Sequence, residues 1–374
     1  MTSSSDSPQR HRWMDQLRGI AALLVVLYHA SLAQGTPAAM VHVSDALSPF
    51  RQPALLVLSG LLLERSLSKG WVTYATGKIA KIAWPWAVWT ILTAVVLGMP
   101  QILTNPQVWI NGHHTWYLTI LLVAYAIAPF IRRVPYWLTT SVLVTGAWVC
   151  HVVGLDLASW MAWFLGFFFA GASMRRGLDQ ILSLSGRWVL FLAILPTVYS
   201  VWAAVGGEPP RTPAAFALAF LGTVVSMWLA TRLPDTSLTR GLAWMGRQSI
   251  VIYLVHYPVV RVLEPALESG GLGPALAPVL FVLTLAVSMA VAAGRRYVWW
   301  LSSSRCHATF GGRRSGPPDG LAARARRRIM GYDHRRARPA ATRRSRLDLR
   351  HHAGVRRVRF PALRSGPGRS SADG

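Results

Sequence analysis

Apolar residues fall in long runs between residues 17 and 294, and short polar connections separate the runs. A helix that crosses a bilayer needs roughly 20 mostly apolar residues. Ten runs approach that length, at about 17–36, 46–63, 82–101, 114–131, 134–153, 159–174, 188–206, 212–231, 241–262 and 273–294. The pattern predicts an all-α fold: a polytopic membrane helix bundle of about ten transmembrane helices. The first run does not read as a cleaved signal peptide. It carries Arg18 and His29, it lacks a small-residue cleavage site, and further runs follow it.

Basic residues in the connections set the expected orientation. One set of connections holds Arg10, Arg12 and Arg18, then Arg65, Lys69, Lys78 and Lys81, then Arg132 and Arg133. It continues with Arg175, Arg176 and Arg187, then Arg232 and Arg240, and ends at Arg295 and Arg296. The opposite set holds only Arg51, Arg211 and Arg261. The bias predicts an even number of crossings with both termini cytoplasmic, in a multi-pass protein of a cell membrane, here a bacterial inner membrane. Tryptophans such as Trp84, Trp137, Trp160 and Trp188 fall near run ends, where they anchor helices at the interface. No internal repeat is evident, so nothing in the pattern supports an inverted-repeat transporter.

Composition agrees with the pattern. Charged residues make up 14% of the 374-residue chain, against about 25% in ordinary globular proteins. So few charges would not cover the surface of a cytosolic globular protein of this size. The net charge of +25 changes meaning once it is located. Residues 301–374 hold 19 Arg, no Lys and four Asp, and no run long enough to span a membrane. The chain divides into an integral membrane domain over 1–300 and an Arg-rich tail over 301–374. The tail reads either as a basic arm for anionic lipid or nucleic acid, or as the product of GC-rich coding in a shifted frame. The second reading is preferred, so no site and no nucleic-acid partner are assigned to it. Cys150 and Cys306 lie far apart and imply neither a disulfide framework nor a cysteine metal site.

Ionisable residues inside a membrane run are costly and point to function. Arg18 and His29 are eleven residues apart, which is three helical turns plus about 20°, so they share a face. The rise between them is about 16 Å. They are placed to line one polar groove running inward from the cytoplasm; the alternative is a topological anchor and a packed histidine. Asp15 pairs with Arg18 or with the helix N-terminus. Lys78 and Lys81 are three apart, hence on one helical face at the cytoplasmic edge; the alternative is a positive-inside anchor. His113 and His114 precede Trp116 at the outer end of the fourth run, as acceptor contacts or as solvated loop residues. Two adjacent histidines without an acid are weak evidence for metal, and none is expected. His256 lies in the ninth run beyond Tyr253, either over the same cavity as His29 or bonded to a neighbouring backbone.

Four stretches carry a resemblance. Trp13-Met14-Asp15-Gln16-Leu17-Arg18-Gly19 with Tyr28-His29-Ala30 resembles the opening of the membrane-bound acyltransferase-3 family. Ser48-Pro49-Phe50 with Leu58-Ser59-Gly60 is similar to the family's second span. Trp116-Tyr117-Leu118 with Tyr125 and Pro129 resembles its Trp–aromatic–Leu span, and Tyr253-Leu254-Val255-His256-Tyr257-Pro258 its Tyr-Leu-x-His-x-Pro span. The likeness runs over residues 13–300 in the family's order. Two departures stand out. The family often has two Arg where this chain has Lys78 and Lys81, and many members have Glu where this chain has Leu121.

The resemblance implies O-acyl transfer from a cytoplasmic acyl-CoA, with acetyl-CoA the expected donor, to a hydroxyl of a glycan, lipid-linked sugar or glycoside. An alcohol needs its proton removed as it attacks, and a desolvated histidine suits that work. His29 is expected to be the base. Arg18, with Lys78 and Lys81, is expected to hold CoA phosphates at the cytoplasmic mouth, with Arg18 also counted in the catalytic pair. Trp116, His113, His114 and His256 are expected on the acceptor side, with Trp116 stacking on a sugar. Lipid bilayer and acceptor are the partners; oligomeric state is left open. The competing class is a non-enzymatic multispan transporter or proton-coupled carrier that uses Arg18 and His29 as an ion site.

Overall fold

The computed structural model describes residues 11–111, 114–206 and 210–294. His113, Arg10, Arg295, Arg296 and the tail over 301–374 lie outside the described residues. Among the described residues the regular elements are all helical. They are α1 (Arg12–Ser31), α2 (Ala38–Ala46), α3 (Ser48–Gly60), α4 (Trp71–Val96), α5 (Trp116–Ile131) and α6 (Tyr136–Val152). Then follow α7 (Asp156–Met174), α8 (Gly186–Gly206), α9 (Pro213–Ala230), α10 (Ser237–Arg247), α11 (Ser249–Glu268) and α12 (Leu276–Ala293). Shorter helical pieces join some of them.

Each apolar run becomes a helix, with two differences. The ninth run, 241–262, is cut at Gln248 into α10 and α11. Helix α10 is amphipathic: Ala243, Met245 and Gly246 are buried, while Arg240 and Arg247 face outward. Its start is fixed by a capping box in which Thr236 and Thr239 each accept the other's backbone N–H. Six helical stretches are long and apolar enough to cross a membrane: Trp71–Val96, Asp156–Leu182, Gly186–Gly206, Pro213–Ala230, Ser249–Glu268 and Gly273–Ala293. Their neighbours in the bundle include α1, α3, α5 and α6, which are shorter or carry charge. Outward positions are strongly apolar: Phe130 is 82% exposed, Val205 77% and Leu190 74%. Such a surface suits lipid. The chain is a multi-pass membrane protein.

The second difference concerns the third run. Its helix starts at Trp71, well before residue 82, and contains a π-helical turn over Ile79–Ala83. A π turn takes more residues per turn, so it narrows the angular step and changes which residues share a face. Lys78 therefore points inward, with Nζ 3.3 Å from the centre of the Tyr125 ring, while Lys81 is exposed. The common face expected from a three-residue spacing is lost.

Helix α1 is the hub. It packs against α2, α3, α9, α10, α11 and α12. Its contact with α10 is backbone-close. A Cβ added to Gly246 would overlap the Asp15 carbonyl oxygen, and one added to Gly19 would overlap the Leu242 carbonyl oxygen. Two glycines facing each other's helix thus set the seat of α1. The start of α1 is also tied down: Arg12 donates to Asp235 at 2.8 Å, and Arg240 bonds the same carboxylate at 3.0 Å. The hydrogen bond from Arg12 holds the Asp235 carboxyl below the usual carboxylate range. A second dense region centres on α7, where Phe167, Phe168 and Phe169 are fully buried and Phe167 stacks on Phe216 at 4.1 Å. That aromatic block backs one wall of the site.

Candidate active site

Three imidazoles from three separate parts of the chain meet in the bundle. His29 lies in the last turn of α1, His256 midway along α11, and His114 just before α5. The His29 and His256 ring centres are 5.0 Å apart, and those of His114 and His256 are 6.1 Å apart. Tyr257 joins the group. His114 stacks on it at 5.1 Å and 12°, and His29 meets it edge-on at 5.2 Å. His256 is fully buried, and its Nδ1 lies 2.5 Å from the Tyr253 carbonyl oxygen. A carbonyl only accepts, so Nδ1 carries a proton, and in the neutral ring Nε2 presents the lone pair. That Nε2 is buried without a hydrogen-bond partner.

His29 and His114 border a cavity of about 480 Å³. His29, His114 and Trp116 line it together with Tyr28, Arg51 and Tyr253. One wall is aromatic: Trp116 packs on Trp160 at 4.9 Å and on Phe164 at 4.8 Å. Hydrogen bonds hold the seam between α5 and α11. The Tyr253 hydroxyl donates to the His114 carbonyl and accepts from the Tyr117 backbone N–H, the latter at 3.3 Å. Among the described residues the His29 ring makes no hydrogen bond, so its nitrogens are left for whatever enters the cavity.

A second polar cluster lies toward the start of α1. Arg18 sits 3.8 Å from the Asp15 carboxylate and within electrostatic reach of the Tyr117 and Tyr125 hydroxyls. Tyr117 shares a 3.3 Å hydrogen bond with the Ser59 hydroxyl, and Tyr125 donates to the Ser59 carbonyl at 3.4 Å. Lys78 lies on the Tyr125 ring. Tyr117 thus belongs to both clusters: its hydroxyl faces the Arg18 side and its backbone N–H bonds Tyr253 beside the histidines. A polar seam runs along the bundle from Lys78 and Arg18 to His29.

The candidate residues therefore separate into groups. His29, His114 and Trp116 line the cavity, and His256 packs directly against His29. Arg18 and Lys78 meet around Tyr125, away from the cavity. Lys81 stands apart on an exposed face, and His113 lies outside the described residues. His114 is 1% exposed, so the solvated-loop alternative does not describe it. Trp160, counted above with the interfacial tryptophans, is a cavity residue. Residues missed in the sequence include Tyr257, Trp163, Tyr199 and, above all, Arg51. The signal for Arg51 was present: it falls inside the run 46–63, where a charge is anomalous. It was counted instead as an outer connection charge.

Among the described residues, no group of three or more His, Cys, Asp or Glu side chains is arranged to hold a metal ion. No curated protein matches the chain, and no solved structure does. A family model described as an acyltransferase domain matches residues 11–293, which takes in α1 through α12. The aligned Arg18 and His29, the aromatic cavity and that match lead to one assignment: the chain belongs to the acyltransferase-3 family and is a membrane O-acyltransferase.

Proposed function

We propose that the protein transfers an acyl group, acetyl in the first instance, from cytoplasmic acyl-CoA to a hydroxyl of a glycan, lipid-linked sugar or glycoside. In this reading about ten helices cross a bacterial inner membrane and both termini face the cytoplasm. The observation that carries the reading is the cavity: an imidazole with open nitrogens stands at its edge, opposite a wall of Trp116, Trp160 and Phe164. Aromatic faces suit the apolar faces of sugar rings, and a histidine suits an alcohol nucleophile.

His29 takes the hydroxyl proton as the acceptor oxygen attacks the thioester carbonyl. The C–O bond forms, the C–S bond breaks, and the imidazolium returns the proton to the leaving thiolate. His256 backs the His29 ring with a lone pair in place of a second cation. Arg18 sits where the CoA arm would pass, between the cytoplasmic mouth and the cavity.

The π turn divides the work of the two lysines. Lys81, being exposed, is free to meet a phosphate. Lys78 lies on Tyr125 and supports the wall behind Arg18. Charge-assisted hydrogen bonds are worth about 1.5–3 kcal/mol, and solvent screening favours the low end at an exposed site. Lys81→Ala is therefore expected to raise the apparent donor KM about tenfold and to spare the acceptor KM. Lys81→Arg is expected to keep donor binding. The test is acetyl-CoA titration of purified protein with thiol release as the readout. An unchanged donor KM in Lys81→Ala would remove it from the donor site. Failure of the unsubstituted protein to release thiol from any acyl-CoA would reject acyl-CoA as the donor.

A further inference from the structure

We propose that Asp45 and Gln52 form a sugar-binding subsite of the cavity, holding hydroxyls of the acceptor other than the one that is acylated. The subsite rests on the O-acyl transfer reading and narrows its acceptor to a polyhydroxylated sugar ring.

The corner between α2 and α3 contributes part of the cavity lining. Asp45 lies one residue from the end of α2, and Gln52 lies in the second turn of α3. Both line the cavity and both are half-buried. The corner is pinned through its backbone. The Ser48 hydroxyl donates to the Asp45 carbonyl at 2.8 Å, and the Ser200 hydroxyl of α8 donates to the Ala46 carbonyl at 2.6 Å. The Leu47 carbonyl accepts from the Phe50 and Arg51 N–H groups and carries the chain into α3. A fixed corner holds the two side chains in place before any ligand enters.

The arginines on the cavity wall are already engaged. Arg51 reaches Ser44 at 3.5 Å and stands 4.3 Å over the Tyr28 ring, and Arg211 is bonded to Asp156 at 3.4 Å. Asp45 and Gln52 differ: among the described residues neither side chain makes an ion pair or a hydrogen bond. A carboxylate accepts at two oxygens, and an amide both donates and accepts. Neighbouring ring hydroxyls match that pair of groups. Trp116, Trp160 and Phe164, in the same cavity, offer the ring an apolar face. A simple alcohol would leave Asp45 and Gln52 unpaired once it excluded water, which is costly. An acidic sugar would meet the Asp45 charge. A neutral sugar satisfies both residues.

The test uses purified full-length protein and acetyl-CoA, with the methyl glycosides of glucose, galactose and mannose as acceptors. Cyclohexylmethanol serves as an alcohol without neighbouring hydroxyls. Thiol release gives kcat and KM, and tryptophan fluorescence reads binding without the donor. A hydrogen bond to a charged group changes affinity about tenfold or more. Asp45→Ala is therefore expected to raise the KM of the preferred glycoside about tenfold, and Gln52→Ala severalfold. The KM values for cyclohexylmethanol and acetyl-CoA are expected to stay within about twofold of the parent. One singly deoxygenated form of that glycoside should bind the parent about tenfold more weakly and bind Asp45→Ala no worse than the parent. An unchanged glycoside KM overturns the subsite, as does an equal loss with cyclohexylmethanol. A fall in kcat at constant KM also overturns it, by placing Asp45 in the chemistry. If Asp45→Ala does not yield folded protein, the isosteric Asp45→Asn carries the same comparison. A parent that acylates cyclohexylmethanol but binds no glycoside rejects the subsite alone. Asp45-dependent glycoside binding without thiol release from any acyl-CoA rejects the donor and keeps the subsite. A parent that neither binds a glycoside nor releases thiol rejects both.

Discussion

Replacing His29 by alanine is expected to lower acyl transfer by about 10²-fold or more while the protein stays in the membrane. The magnitude is that of a lost general base. The imidazole lines the cavity and makes no hydrogen bond among the described residues, so its removal breaks no structural bond. The seat of α1 depends on other residues, chiefly Gly19 and Gly246 on opposite sides of its contact with α10. Donor binding should survive, because Arg18, Lys78 and the exposed Lys81 lie away from His29. The measurement is kcat and donor KM for thiol release, with insertion checked by membrane fractionation. Near-normal turnover in His29→Ala would remove His29 from the chemistry. His256→Ala makes a useful contrast: His256 is fully buried, so its loss acts through packing and through the placement of His29.

Gly246→Leu is expected to abolish correctly assembled protein. The position has no room: even a Cβ would collide with the Asp15 backbone oxygen. That oxygen belongs to a helix interior and does not swing away as a side-chain end would. Overpacking a tight site costs about 1–3 kcal/mol or more. A marginal stability of about 5–15 kcal/mol leaves little reserve. Relief would require α10 to lift off α1 at Asp15, carrying with it the start of α11. Size-exclusion behaviour in detergent and protease sensitivity check the outcome. A monodisperse, active Gly246→Leu protein would contradict the backbone-close contact. Gly241→Ala is the control, since a Cβ there meets nothing within 4 Å.

The helical class and the positions of most helices were legible because lipid forces long apolar runs with satisfied backbones. Periodicity also aligned Arg18 with His29, because α1 is one unbroken helix over Arg12–Ser31. Local irregularities were not legible. The π turn at Ile79–Ala83 has no composition signature, and it separated Lys78 from Lys81. The break at Gln248 was hidden because Trp244 and Met245 carry apolar character across it, although the capping box at Thr236 was readable in principle. Long-range assembly was harder still. Nothing in the run 46–63 says that Arg51 faces Tyr28, or that Tyr257 lies between His29 and His114. Those neighbours come from α1, α3, α11 and the turn before α5, separate elements that meet only in the folded bundle. His256 was placed between two readings, and its geometry satisfies both: Nδ1 bonds a backbone carbonyl, and the ring rests on His29.

The central claim is that acyl groups enter from the cytoplasmic side near Arg18 and leave as esters formed at His29 in the cavity. Sealed inside-out vesicles test it most directly, with acetyl-labelled acetyl-CoA added outside and methyl glucoside trapped within. The account predicts labelled ester in the lumen, free CoA left outside in equal amount, and neither product from the His29→Ala protein. Intact labelled acetyl-CoA in the lumen without ester, or equal ester formation by His29→Ala, would contradict it.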